Sequence, residues 1–396
     1  MEKLNSMLAS MTVFRGAAEL PAVRALREAL REARAGGDAE RLLDAYGRTL
    51  FGLRQEGADS FADYLRAHLL FDETPYALAV ARGRADAAYR AAAERDLSIL
   101  RALCALPAAQ LKAAIAKIAG DEAYIASLPE WNCAPAPELS ELEASYRKNG
   151  CGLFARGRAF HWERGQLTAV KNPDPTEGLI GYEWQREAVV QNTRALLAGR
   201  PCCNVLLHGD SGTGKSATIK SLLSVPEFFN LRIIEVAKNS LEELTDVQRL
   251  VSGHTQKFIL YIDDLTFQQE DRGYSALKTA LEGGLERRPD NVAIYVTSNR
   301  RHMVRETFSD RGSDDIHRSE TIAEQTSLSD RFGLRLPYLS LGKPEYLAMI
   351  DELAARAGID MPTEQLHAEA NVWELRRGGR TPRSATQFIE HLQSQF

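Results

Sequence analysis

The residues best equipped for chemistry are the run Gly209-Asp210-Ser211-Gly212-Thr213-Gly214-Lys215-Ser216. The run follows the spacing G-x-x-x-x-G-K-[ST], in which each residue type has a physical job. Gly209, Gly212 and Gly214 let the backbone curl so that its N–H groups converge on phosphate oxygens. A helix starting where the loop ends adds the partial positive charge of its N-terminus. Lys215 brings a mobile cation to the β- and γ-phosphates, and the Ser216 hydroxyl is a ligand for Mg²⁺. The chemistry implied is binding of ATP with Mg²⁺.

Hydrolysis needs two more groups, a carboxylate that holds the metal and a group that positions water. Residues 258–262 read as a strand buried on both faces, and Asp263-Asp264 stand at its carboxyl end, where open α/β sheets place ligands. Asp263 is the candidate to hold Mg²⁺, and Asp264 to orient or deprotonate the attacking water. Two acids after a strand also suit the cap of a following helix, so it is the upstream loop that favours catalysis. The next strand, 292–296, runs into Thr297-Ser298-Asn299. Asn299 is then expected near the γ-phosphate, although Asn is also common in turns.

These groups must be held by alternating strands and helices. Short apolar runs at 204–208, 231–236, 258–262, 292–296 and 335–339 read as strands, a segment at 159–162 as one more, and 183–197 as a helix. The layout is that of an α/β fold with a parallel sheet and crossover helices over residues 151–340. After Gly342 only helical patterns follow, so 341–396 reads as a helical lid. Residues 1–150 read as an all-α domain. Leu20, Val23, Leu26 and Leu30 recur at helical spacing, and Ala-rich stretches lie at 87–93 and 105–119. Pro135, Pro137 and Asn149-Gly150 mark the break after it.

Of 396 residues, 44% are hydrophobic and 26% charged, an ordinary globular composition with material for two or three domains. A net charge of −5 gives no global basic field, so nucleic acid is a possible partner but not the favoured one. Arg300-Arg301-His302 and Arg376-Arg377 are the local basic clusters. Five cysteines form an odd set without metal-like spacing, which points to a reducing cytoplasm rather than a disulfide framework. No apolar run approaches the roughly 20 residues of a spanning helix, so no membrane is expected.

In this order the residues resemble the AAA+ ATPases, from about Gly178 to the C-terminus. The resemblance implies an AAA+ P-loop NTPase core with a helical lid. Gly379-Arg380-Thr381-Pro382-Arg383-Ser384-Ala385 is similar to the second-sensor helix of Holliday-junction motor subunits, which implies that Arg383 reaches back to the γ-phosphate. Gly181-Tyr182 stands where such proteins contact adenine. A closer resemblance is to a bacterial AAA+ family known as domain of unknown function 815. It is carried by Asn204-Val205-Leu206-Leu207 into the loop, Asp263-Asp264-Leu265, Leu281-Glu282-Gly283, Thr297-Ser298-Asn299-Arg300-Arg301-His302 and Ser327-Leu328-Ser329-Asp330-Arg331-Phe332-Gly333-Leu334. By that match Arg331 stands where the family places an arginine that acts in a neighbour's site, which implies a head-to-tail homo-oligomer, a ring among the possibilities. Pairing of Arg331 with a local acid such as Asp330 or Glu324 is the alternative.

The resemblance has one departure. Asp-Glu is usual at the acidic strand end, and this chain has Asp263-Asp264. The shorter Asp264 side chain implies slower hydrolysis, or a partner that completes the geometry, with binding less affected. The favoured expectation is a cytoplasmic, Mg²⁺-dependent ATPase that remodels a protein partner recruited by residues 1–150. A nucleic-acid motor or loader, and a nucleotide-dependent switch with little hydrolysis, are the alternatives.

Overall fold

Runs rich in Val, Ile and Leu in the second half of the chain form the inner strands of one seven-stranded sheet. The computed structural model describes residues 3–173, 176–266, 272–282, 288–299, 328–377 and 379–395. The strands are β1 Ala159–Glu163, β2 Gln166–Ala169, β3 Val205–Gly209, β4 Leu231–Val236, β5 Lys257–Ile262, β6 Val292–Ser298 and β7 Leu334–Tyr338. Their spatial order is β2-β1-β4-β5-β6-β3-β7. Every neighbouring pair is parallel except the β1–β2 hairpin.

Burial follows this order. All seven residues of β6, inside the sheet, are buried, whereas β2 at the edge has none buried. A parallel strand covered on both faces needs a continuous apolar run, and β5 and β6 supply it. On one face Leu207, Ile259, Tyr261 and Tyr295 pack with Val189 and Leu196 of the helix Glu183–Leu197.

The order matters to the chemistry because it brings three carboxyl ends side by side. Leu207 of β3 pairs with Thr297 of β6, and Ile262 of β5 pairs with Val296 of β6. The glycine loop leaving β3 and the two aspartates leaving β5 therefore flank the polar end of β6. Beyond β7, the helices Lys343–Ala357, Thr363–Arg377 and Pro382–Gln393 pack around Tyr346, Ile350, Ala370, Phe388 and Leu392. The last of these helices starts with a Thr381 cap, whose hydroxyl accepts the Ser384 N–H, and with Pro382 in its first turn.

The chain divides into two compact units, Met1–Arg156 and Gly157–Phe396. The first is helical and has its own core, including Phe14, Leu26, Tyr46, Phe61 and Leu100. Its fully buried Asp96 accepts the N–H groups of Thr12, Val13 and Phe14 at 2.8, 2.7 and 3.1 Å, which satisfies a carboxylate otherwise costly to bury. Among the described residues no single helix is long and apolar enough to cross a membrane. The bent pair Ala87–Cys104 and Ala108–Ala119 passes on length and composition, and its apolar residues Leu97, Leu100, Leu111 and Ile115 belong to this core.

Candidate functional site

The loop after β3 has the shape that its glycines permit. Gly209 has φ +135°, and a Cβ there would lie 2.2 Å from the Tyr338 carbonyl oxygen of β7. Gly214, with φ +90°, caps the helix Lys215–Ser221. Lys215 is 5% exposed, and its Nζ donates to the carbonyls of Gly209 and Asp210 at 3.1 and 2.6 Å. Burial lowers its pKa below the ordinary lysine value, while Asp210, Asp264 and Asp263 pull the other way. The Asp210 carboxylate points to the connection after β7, where Oδ2 accepts the N–H and the hydroxyl of Ser340, each at 2.7 Å.

The two aspartates sit across from this loop. Asp263 Oδ1 accepts hydrogen bonds from Ser216 Oγ at 2.7 Å and Thr297 Oγ1 at 2.5 Å. Burial alone would raise the Asp263 pKa, and the polar side chains of Thr297, Tyr261 and Ser216, with the Lys220 charge, more than offset it, so the carboxyl lies below its ordinary value. Asp264 adopts a left-handed conformation, φ +48°. Its N–H donates to Thr297 Oγ1 at 2.7 Å, and its carboxylate accepts from Asn299 Nδ2 at 2.5 Å and Lys238 Nζ at 3.2 Å.

The helical segment closes the site from a third side. The Arg383 N–H donates to the Gly212 carbonyl at 3.1 Å. Tyr182, with φ +56°, stacks on Tyr338 with ring centroids 4.7 Å apart, and its hydroxyl donates to the Leu339 carbonyl at 2.5 Å. The Tyr338 hydroxyl shares a hydrogen bond with Thr218 Oγ1 at 3.0 Å, and burial pushes its pKa up to about 12.

Two clefts result. One, of about 460 Å³, is lined by residues 211–217 of the loop together with Asp263, Asp264, Thr297, Asn299 and Arg383. The other, of about 280 Å³, is lined by Gly181, Tyr182, Ile180, Met349, Leu353 and Tyr338 among others. Both include Leu179, Thr213, Gly214, Pro382 and Thr386, so they adjoin. The structure thus gathers Ser211 to Ser216, Asp263, Asp264, Asn299 and Arg383 in one cleft and Gly181 and Tyr182 in the next.

Gly209 and Asp210 support the loop from beneath, through β7 and Ser340. Arg331 lines neither cleft. Its guanidinium holds the Glu282 carboxylate through Nε, at 2.5 Å, and a terminal nitrogen, while Asp330 pairs with Arg335 at 2.9 Å. Arg300, Arg301, His302, Gly283, Glu324 and Ser327 lie outside the described residues. Sequence reasoning missed Thr297, Lys238 and Ser340 as contributors; the signal available was that each is a polar residue at or just beyond the end of a strand.

The residues suit a nucleotide with Mg²⁺ on two structural grounds. The cradle around the loop is shaped by glycines, with Arg383 Cβ 3.2 Å and Thr381 Oγ1 3.3 Å from where a Gly212 Cβ would stand. Ser216 and Asp263 bring a hydroxyl and a carboxylate oxygen to one point, a hard-oxygen pair of the kind Mg²⁺ prefers.

Comparison with known proteins gives a family. No curated protein matches the sequence. Among solved structures, the Holliday junction branch migration motor RuvB of Thermotoga maritima matches with a TM-score of 0.36 at 17% identity, covering 54% of this chain and 62% of that one. The replication initiator DnaA, bound to AMPPCP and single-stranded DNA, matches with a TM-score of 0.36 at 16% identity, covering 56% of this chain and 65% of that one. The chain therefore spans a little under two thirds of the length of these structures. The model of the family described as "Protein of unknown function (DUF815)" matches residues 155–396, more than half of the sequence. With that match over its α/β sheet and C-terminal helices, the chain belongs to the DUF815 family.

Proposed function

We propose that this protein is a Mg²⁺-dependent ATPase that works as a homo-oligomer in the cytoplasm and remodels a protein partner. The observation that carries the reading is the meeting in one cleft of the glycine loop, Lys215, Ser216, Asp263, Asp264, Asn299 and Arg383. In this reading the loop N–H groups and Lys215 bind the β- and γ-phosphates, and Tyr182 and Gly181 hold the base. Ser216 and Asp263 hold Mg²⁺, which supplies charge neutralisation at the phosphate oxygens. Asp264 and Asn299, 2.5 Å apart, orient the attacking water, with Asp264 taking its proton. Arg383, carried by the lid, offsets charge on the transferring phosphoryl group. The unit Met1–Arg156, with a core of its own, recruits the partner.

A second reading, a switch that binds ATP and turns it over little, is favoured by one contact. Asp264 is paired with Lys238 as well as Asn299, so the group proposed to take the proton is already shared between two donors. One experiment separates the readings. Purified full-length protein is assayed for phosphate release and for particle size with ATP, beside Asp264→Asn, with candidate partners supplied. Turnover above the Asp264→Asn control supports the ATPase. ATP-dependent assembly with no phosphate release above that control supports the switch, and neither response would sink both.

A further inference from the structure

Thr297 occupies the last-but-one position of β6 and is 1% exposed. Its hydroxyl makes two bonds of opposite sense. It donates to Asp263 Oδ1 at 2.5 Å and accepts the Asp264 N–H at 2.7 Å. Its backbone carbonyl also accepts the Leu265 N–H at 2.7 Å, and the next side chain, Ser298, donates to the Leu265 carbonyl at 2.8 Å. The turn Asp263-Asp264-Leu265 is thus stitched to the end of β6 residue by residue. The register explains the fit, because Asp263 lies one step beyond the last paired residues, Ile262 and Val296, and so reaches the level of Thr297.

Only a hydroxyl can serve both bonds from one atom, since it donates one hydrogen and accepts through its lone pairs. The β-branched Thr also suits a buried strand. The bonds act on two different things. One fixes a side-chain oxygen of Asp263, the same oxygen that Ser216 touches. The other fixes the backbone of Asp264 in the left-handed region, where a residue with a side chain rarely rests unless held. With Asp264 in that conformation, its carboxylate meets Asn299. A short side chain has few torsions with which to correct a misplaced backbone, so an aspartate depends on this placement more than a glutamate would.

We propose that Thr297 is the positioning residue that sets both carboxylates, one oxygen of Asp263 toward the cation and the backbone of Asp264 toward the water. The inference rests on reading the cleft as an ATP–Mg²⁺ site. Two full-length variants test it. Thr297→Val keeps the shape and loses both hydrogen bonds; Thr297→Ser keeps the hydroxyl. Binding of a fluorescent ATP analogue is titrated with and without Mg²⁺, and steady-state phosphate release is measured in excess Mg²⁺. For Thr297→Val the Mg²⁺ needed to strengthen nucleotide binding is expected to rise by roughly 10- to 100-fold, the range for losing a hydrogen-bond partner of a metal ligand. Its kcat is expected to fall about 100-fold, as for a misplaced catalytic group, with KM for ATP and metal-free affinity unchanged.

Thr297→Ser is expected to restore the Mg²⁺ titration and kcat together. Wild-type behaviour of Thr297→Val overturns the inference. So does a Thr297→Ser variant as impaired as Thr297→Val, and so does loss of metal-free binding by Thr297→Val, which would reduce the hydroxyl to a folding role. A wild-type protein that binds no nucleotide overturns the reading of the cleft itself, and this inference with it.

Discussion

In the proposed ATPase Asp264 is the residue on which rate would turn, and its surroundings pull it two ways. Asn299 holds one oxygen at 2.5 Å, an arrangement suited to sharing a water. Lys238, just beyond β4, holds the other at 3.2 Å and so occupies an oxygen that would otherwise face the cleft. Both partners of that ion pair are about half exposed, 52% and 51%, so it contributes little to stability, on the order of 0–1 kcal/mol. Lys238→Met is therefore expected to leave the melting temperature close to that of the wild type. It is also expected to raise kcat severalfold, because the carboxylate is released while Asn299 stays in place. Phosphate release set beside thermal melting checks this, and a kcat unchanged or lowered in a stable variant would show that Lys238 supports Asp264 rather than masks it.

At the level of elements, the C-terminal helical segment is tied to the glycine loop through the backbone of Arg383. The Arg383 N–H reaches Gly212, the Leu341 N–H reaches the Arg380 carbonyl, and Ser340 is held twice by Asp210. The connection from β7 into the lid thus leans on the second residue of the loop. Asp210→Ala is expected to free the Ser340 amide, each charged hydrogen bond being worth about 1.5–3 kcal/mol. Hydrogen exchange at residues 339–342 should quicken by roughly tenfold or more, with the interior of β6 unchanged. Equal protection in the variant and the wild type would rule out this tie.

The same scale shows what the sequence could reveal. Helix Glu183–Leu197 and strand β4 coincide with the expected 183–197 and 231–236, because each carries its own period or unbroken apolar run. β2 was not legible. Its four residues include none that is buried, and it exists as a strand only through pairing with β1, whose other neighbour, β4, is about 70 residues away in sequence. The glycine loop and the Asp263-Asp264 pair were legible because their chemistry is local. Thr297 and Lys238 were not, since their roles follow from which strands lie beside β5, and Arg331 reaches Glu282 across 49 positions that no spacing rule connects.

For the molecule as a whole the question is where the last positive charge comes from. The larger cleft is lined by Lys215 and Arg383 on one side of the ledger and by Asp263 and Asp264 on the other, so its own side chains balance. Phosphoryl transfer spreads negative charge over the transferring group, and a further cation at that moment is worth roughly 10³–10⁵ in rate. Arg331 lines neither cleft of its own chain and rests on Glu282, and in the proposed homo-oligomer it would supply that cation to another copy's site. A head-to-tail assembly would bring it there, since a heterologous contact repeats the same donor and acceptor surfaces around the oligomer. Arg331→Ala is accordingly expected to bind ATP normally and lose about 10³-fold in turnover. Lys215→Ala is expected to lose nucleotide binding while its Arg331 stays intact. Mixed, the two inert proteins should regain activity, because a Lys215→Ala subunit can lend its arginine to the intact loop of an Arg331→Ala neighbour. The decisive measurement is phosphate release across mixing ratios, with particle size followed in parallel. Recovery that peaks at intermediate ratios requires shared sites. Inactivity at every ratio, in mixtures that assemble as the wild type does, would confine each site to a single chain and leave Arg331 as the structural partner of Glu282.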